Sequence, residues 1–236
     1  MIENIFTAFA LFASTYIPPM IILAVWSKRV GPQVMMQKGS YLYLIFSSTA
    51  LFDALVLIAI LSQGNYEEYG FAISGGSVQP VAIFSVLILR GIFSLAVGLI
   101  PSRKRYRHYD RSWLLHAIVV ECIFVSISEE IVFRGLIQSY LSIYISSSVT
   151  FIIYQLSIPA IVGAALFAFL HLGFLKYGKT RLQVLLTVMA TFALGAMTGY
   201  FRDITGSLLT PIIMHMAFNL SGKGIEFLRQ YTYSKR

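Results

Sequence analysis

Residues 129–135, with the sequence EEIVFRG, place two carboxylates and one guanidinium within a strongly apolar region of the chain. In lipid, each of these charges would cost several kcal/mol if it had no partner. On a helix, Glu130 and Arg134 stand four residues apart on one face, so the spacing predicts an ion pair across one turn. Glu129 points about 100° away, which predicts that it lacks this partner and is available as a general base. The other interpretation is a neutralised network of all three charges that only holds helices together.

The composition is that of a polytopic membrane protein. Of the 236 residues, 57% are hydrophobic and only 12% are charged, which is far more apolar than a soluble domain of this size. The formal net charge of +8 lies mostly in short loops and at the C-terminus, so it indicates orientation in a membrane and no nucleic-acid partner. The single cysteine, Cys122, excludes an intrachain disulfide and a multi-cysteine metal site.

The apolar segments predict an all-α bundle of about seven transmembrane helices. The predicted spans are residues 5–26, 41–62, 78–100, 112–140, 159–177, 181–201 and 207–227. Residues 141–157 are ambiguous, because this apolar, serine-rich segment is either an interfacial or half-inserted piece or an eighth span. Gly195 and Gly199 have a spacing that permits close contact with another helix. We expect three N-terminal transmembrane helices in residues 1–111, followed by a second region in residues 112–236.

Loop charges predict the orientation of these spans. Basic residues follow the first, third and fifth predicted spans and are frequent at the C-terminus. The alternate loops carry Glu67 and Glu68 or almost no charge. The positive-inside rule therefore places the N-terminus outside and the C-terminus in the cytoplasm.

Two further pairs of residues have helical spacing. His215 and Asn219 stand four residues apart on the last predicted span, and Phe167 and His171 have the same relation on the fifth. Counted along the helices from the nearest loops, Glu129, His171 and His215 each lie roughly a third to two-thirds of the way across the membrane. We therefore predict that they meet in a shared polar site, although a lone intramembrane histidine is usually a packed core residue.

Such a site has the groups that hydrolysis of a peptide bond requires, which are an activated water, a general acid and donors to the developing oxyanion. Glu129 with His171 can hold and deprotonate water, while His215 and Asn219 can donate from one helical face. Alternatively, Glu129, His171 and His215 are ligands of a catalytic zinc ion with an open position for water. The HExxH spacing of metalloproteases is absent, which weakens this alternative.

These residues give the chain a resemblance to the CPBP family of intramembrane proteases, which includes CAAX prenyl endopeptidases of the Rce type and bacterial Abi proteins. The family motifs EExxxR, FxxxH and HxxxN appear in order on successive hydrophobic helices as Glu129-Glu130 with Arg134, Phe167 with His171, and His215 with Asn219. The resemblance covers residues 112–220, so residues 112–236 are predicted to form the protease core.

The resemblance implies an intramembrane endopeptidase that cuts a membrane-associated peptide or protein, with or without a lipid group, in the plasma membrane of a prokaryote. It implies Glu129 as the general base, His171 as its partner and His215 with Asn219 as oxyanion or substrate-polarising groups, supported by Glu130, Arg134 and Phe167. This mechanism uses no cofactor, and zinc is the alternative. The competing hypothesis is a non-catalytic membrane scaffold or a proton-coupled transporter, although no paired halves with interrupted helices are apparent.

Overall fold

A computed structural model describes residues 2–37, 39–72, 79–98, 115–151, 154–172 and 180–234. Within these ranges the chain is mostly helical, which confirms the all-α prediction. Residues 115–144 form one continuous helix, α4. The other helices are α1 (Ile2–Gln37), α2 (Gly39–Leu61), α3 (Pro80–Gly98), α5 (Ile158–Leu170), α6 (Arg181–Thr205) and α7 (Leu209–Ser234).

Helix α4 contains two stretches of wide, π-helical turns. They lie at Ile118–Phe124 and Ile131–Gln138, while Val125–Glu130 between them keeps ordinary α-helical turns. After the first stretch, the backbone N–H of Val125 donates to the carbonyl of Val120, five residues earlier. Wide turns of this kind are rare and occur often at functional sites. Here they flank the segment that ends with the two adjacent glutamates.

Four of the described helical segments are long and apolar enough to cross a membrane. They are Ile2–Ile22 in α1, Leu44–Leu61 in α2, and the whole of α3 and α6. Helix α5 is apolar but has 13 residues, a length of about 20 Å against a hydrocarbon core of roughly 30 Å. Integral membrane character is therefore supported, whereas the number of about seven spans stays a prediction.

The segment 141–157 differs from a membrane span. Helix α4 ends at Tyr144, and two antiparallel strands follow, β1 (Ser148–Phe151) and β2 (Tyr154–Ser157). A strand of four residues is far shorter than the roughly nine to eleven residues of a membrane-spanning strand. The described part of this segment therefore provides no eighth span. The hairpin instead connects α4 to α5, and most of its side chains are exposed.

The core lies around Phe133 on α4, whose side chain is completely buried. Its ring centre lies 6.2 Å from that of Phe12 and 5.7 Å from that of Tyr16, both on α1. On the other side, the ring of Phe167 on α5 packs edge-on at 5.1 Å. Buried aromatic pairs at these distances stabilise a core beyond the area that they bury. The cluster thus joins the N-terminal helices to α4 and α5 next to Arg134.

Helices α5 and α6 approach closely where glycine replaces larger residues, as the small-residue spacing predicted. A Cβ atom at Gly195 would lie 2.9 Å from Cα of Ala164, and one at Gly199 would lie 2.9 Å from Cβ of Ala160. Distances under 3 Å leave no room for a side chain. This close contact brings the backbone of α6 within reach of side chains on α4.

One end of the bundle, which we call the hairpin end, consists of residues 62–72, the β-hairpin and the α6–α7 turn. Arg202 donates from Nη2 to the carbonyl of Glu68 at 2.8 Å. The two carboxylate oxygens of Asp203 accept from Gln138 and from Ser157, each at 2.7 Å. Since α2, α4 and α6 end here while α5 and α7 begin, these contacts hold five helix termini together.

Candidate active site

Glu130 and Arg134 form the buried ion pair that their spacing predicted. Neither side chain is accessible to solvent, and Nε of Arg134 lies 3.2 Å from Oε2 of Glu130. Arg134 also donates from Nη2 to the carbonyl of Gly195 on α6 at 2.8 Å. Its guanidinium carbon lies 5.3 Å from the centre of the Phe167 ring. Because an unpaired charge here would be strongly destabilising, the pair fixes α4 against α6 and α5.

His215 on α7 bridges the two glutamates. Its Nδ1 lies 2.8 Å from Oε1 of Glu130, and its Nε2 lies 3.6 Å from Oε2 of Glu129. The Glu130 carboxylate also pairs with Arg134 and is the acceptor in its hydrogen bond with His215. Nδ1 of His215 therefore carries the hydrogen of this bond. This bond fixes the tautomer and the orientation of the ring. Nε2 is thereby directed at Glu129.

The two glutamates differ in accessibility. The Glu130 side chain is 0% exposed, whereas the Glu129 side chain is 20% exposed. The sequence predicted that Glu130 and Arg134 would support Glu129. In the structure, Glu130 contacts both Arg134 and His215, and the imidazole of His215 lies between Glu130 and Glu129. Only Glu129 of the pair is placed where a molecule from outside could reach it.

Phe167 packs between the two predicted site histidines. Its ring centre lies 5.0 Å from that of His171 and 5.5 Å from that of His215, and both contacts are edge-to-face. The carbonyl of Phe167 lies 3.0 Å from Nδ1 of His171, so this nitrogen carries the hydrogen of that bond. The structure therefore brings both histidines to one aromatic ring.

The position of His171 along α5 corrects one expectation. The sequence predicted a helix over residues 159–177 with His171 in its interior. Helix α5 instead ends at Leu170, and His171 caps its C-terminus. Residues 173–179 lie outside the described part of the chain.

Asn219 lies one turn after His215 on α7 and reaches back to α4. Its Nδ2 donates to Oγ of Ser126 at 3.0 Å. Ser126 was not among the predicted site residues, although it stands four residues before Glu130 and thus on nearly the same helical face. A polar residue at that spacing from the glutamate pair was the signal that could have identified it.

Glu121 and Lys223 form a second ion pair between α4 and α7, farther from the hairpin end than the glutamate pair. Nζ of Lys223 lies 2.6 Å from Oε2 of Glu121, and the two side chains are 23% and 22% exposed. Lys223 follows Asn219 by four residues, so it continues the same face of α7. Polar contacts therefore join α4 to α7 over several turns.

The zinc alternative would need Glu129, His171 and His215 as ligands of one ion. Among the described residues, which include Glu129, His171 and His215, no three His, Cys, Asp or Glu side chains are grouped so that they could hold a metal ion. A catalytic zinc centre uses three such ligands around one point. The residues as arranged here do not fit the zinc alternative. That the chemistry needs no cofactor stays a prediction.

Comparison with known proteins agrees with the three motifs. The family model described as type II CAAX prenyl endopeptidase Rce1-like matches residues 111–221, a range that includes all seven motif residues. Searches of the curated proteins and of the solved structures found no match. The matched family is a protease family, which implies a hydrolase acting on a peptide or protein in the membrane. The match confirms that residues 111–221 of this chain resemble the CPBP/CAAX protease family.

Proposed function

We propose that the protein is an intramembrane endopeptidase in which Glu129 activates water to hydrolyse a peptide bond of a membrane-associated peptide or protein. This proposal rests on a difference between the two adjacent glutamates. Glu130 is fully buried between Arg134 and His215, whereas Glu129 is partly exposed and faces the second nitrogen of the same imidazole. A general base must reach both water and substrate, and Glu129 meets this requirement while Glu130 does not.

In the proposed reaction, the Glu129 carboxylate accepts a proton from water as the water oxygen attacks the carbonyl carbon of the substrate. The carbonyl oxygen becomes an oxyanion, and the C–N bond then breaks as the proton passes to the leaving nitrogen. The products are a carboxylic acid and an amine. His171 is proposed to help Glu129 to hold the water.

Two groups on α7 are proposed to stabilise the oxyanion, and they differ in when they can donate. The Nδ1 hydrogen of His215 is committed to Glu130, so Nε2 donates only while the ring is protonated. Asn219 carries amide hydrogens in every protonation state. Donors held in place before the reaction stabilise a developing charge most effectively.

A seven-span arrangement with a cytoplasmic C-terminus is part of the proposal. Along the chain, Glu67 and Glu68 stand between α2 and α3, whereas the basic residues of segments 28–38, 103–111 and 176–181 belong to the alternate connections of the seven-span order. This separation of charge supports the orientation expected from the positive-inside rule. The orientation can be tested in intact prokaryotic cells with two variants, one with a cysteine in place of Glu67 and one with a cysteine in place of Arg105. A membrane-impermeant thiol reagent should label the first and not the second, and the reverse pattern would overturn the orientation.

The experiment for the proposed activity compares protein termini in membranes from cells that carry the wild type or Glu129→Gln at equal expression. We expect termini that are present only with the wild type, and these would identify the substrate and show whether it carries a lipid. Identical termini in both strains would contradict the protease proposal. A non-catalytic scaffold or a proton-coupled transporter would then be favoured.

A further inference from the structure

Ser126 connects α4 to α7 through two consecutive hydrogen bonds. The residue is completely buried, and its Oγ donates to the carbonyl of Cys122, four residues earlier, at 2.7 Å. The same oxygen is 3.0 Å from Nδ2 of Asn219. Because a hydroxyl has one hydrogen, which Cys122 receives, Oγ can only accept a hydrogen bond from Asn219.

This chain of bonds determines which way the Asn219 amide faces. A side-chain amide has a donor end and an acceptor end, and a half-turn exchanges them. With Ser126 as an acceptor, the donor end must face it, and the planar amide then fixes the direction of the second Nδ2 hydrogen. After a half-turn, Oδ1 would face Oγ, so two acceptors would meet and a hydrogen bond in a partly buried site would be lost.

We propose that Ser126 is a positioning residue that holds Asn219 as a hydrogen-bond donor to the substrate carbonyl oxygen. The inference rests on the proposed protease function. An N–H group stabilises the negative charge that develops on that oxygen, whereas an amide oxygen in the same place would repel it. Ser126 acts only through Asn219, because its own hydroxyl is occupied by Cys122 and by the amide.

Ser128 provides a matched control on the same helix. It is also a buried serine, 1% exposed, and its Oγ donates to the carbonyl of Ser47 on α2 at 2.8 Å. Ser128→Ala therefore removes a buried hydroxyl of the same size without changing a partner of Asn219. Ser126→Thr is the conservative variant, since it keeps the hydroxyl. Ser126→Cys, whose thiol is a weak acceptor, replaces Ser126→Ala if the alanine variant does not fold.

The first test observes the amide itself and needs no substrate. The full chain contains three asparagines, Asn4, Asn65 and Asn219, so selective ¹⁵N-asparagine labelling gives three side-chain amide signals in an NMR spectrum of the protein in detergent. Asn219→Ala identifies the third. We expect Ser126→Ala to move this signal, while Ser128→Ala and Ser126→Thr leave it near its wild-type position. An unmoved signal in Ser126→Ala would overturn the inference.

The second test measures how fast the Glu129-dependent termini appear. Ser126→Ala should lower the rate at which these termini appear roughly tenfold, which is the size expected for the loss of one neutral hydrogen bond. Asn219→Ala should slow them about 10²- to 10³-fold, as expected for loss of an oxyanion donor. Ser126→Thr should restore the rate, and Ser128→Ala should leave it unchanged.

The double variant shows whether Ser126 acts through Asn219. Adding Ser126→Ala to Asn219→Ala should cause no further loss of cleavage rate. A further loss of about tenfold would overturn the positioning role. If no termini depend on Glu129, the proposed function fails, but the NMR comparison still decides the amide orientation. The two failures are therefore distinguishable.

Discussion

Two of the polar contacts that helix α4 makes with its neighbours differ in kind. Towards α6 it presents Arg134, which is buried against Gly195 and paired with Glu130. Towards α7 it presents Glu129, which is partly exposed beside His215. The two glutamates are adjacent, so a rotation of about 100° around the helix separates a carboxylate that holds the bundle from one that is open to reactants. Substitutions on the α6 side should therefore reduce stability, and those on the α7 side should reduce activity.

The largest stability loss is expected at Arg134. Arg134→Met removes the cation from a fully buried pair and leaves Glu130 uncompensated, which should lower the free energy of unfolding by about 3–5 kcal/mol. Lys223→Met is the matched control, because it removes a cation from the partly exposed pair with Glu121 and should therefore cost less than Arg134→Met. Denaturant unfolding in detergent measures both. Equal losses would contradict the distinction between the two contacts.

A smaller loss of stability is expected from substitutions where α6 approaches α5 and α4. In Gly195→Ala, the new methyl group would meet the backbone of Ala164 and the guanidinium of Arg134 at 2.9–3.0 Å. Overpacking of this kind should lower the free energy of unfolding by about 1–3 kcal/mol. Gly91→Ala on α3 is the control, since nothing lies within 4 Å of its added Cβ. Its stability should change little or rise by up to about 1 kcal/mol, and a similar loss in both variants would refute the close contact.

The smallest effect is expected at the hairpin end. The Ser157 side chain accepts from the backbone N–H of Ala160, which caps α5, and it donates to Asp203. Ser157→Ala should therefore cost about 1 kcal/mol of stability and leave the cleavage rate unchanged. Thr180→Ala, which removes the cap of α6 at the opposite end, is the comparison. A cleavage rate that falls only in Ser157→Ala would show that the hairpin end takes part in the chemistry.

Much of the site could be predicted because its determinants are local. The Glu130–Arg134 pair follows from a spacing of four residues on one helix, and close packing at Gly195 and Gly199 follows from the absence of side chains. The order of the three motifs on apolar helices was sufficient for the family. Each of these features depends on sequence neighbours or on one residue type.

The remaining features depend on how helices turn and face one another. The wide turns at Ile118–Phe124 and Ile131–Gln138 change the angle between successive residues, so a face counted with the ordinary helical period drifts along α4. Which glutamate holds His215, and which hydroxyl holds Asn219, is decided by the rotation of α7 against this irregular helix. The β-hairpin likewise had no clear periodic signal in the apolar, serine-rich segment 141–157, and the apolar sequence continues past the end of α5 at Leu170.

We propose that Glu129 performs the chemistry, whereas Glu130 holds Arg134 and His215 in place. The most direct test of this division of roles is a side-by-side measurement of cleavage and unfolding for purified wild type, Glu129→Gln and Glu130→Gln, with the substrate identified from the membrane termini. Glutamine keeps the size of the side chain and removes its charge, so the two variants are matched in everything except position.

We expect Glu129→Gln to slow cleavage by about 10²- to 10⁴-fold, because it removes the general base, and to unfold like the wild type. Glu130→Gln should lose several kcal/mol of stability because Arg134 is left without its counter-ion. A folded Glu129→Gln variant that cleaves at the wild-type rate would contradict this division of roles.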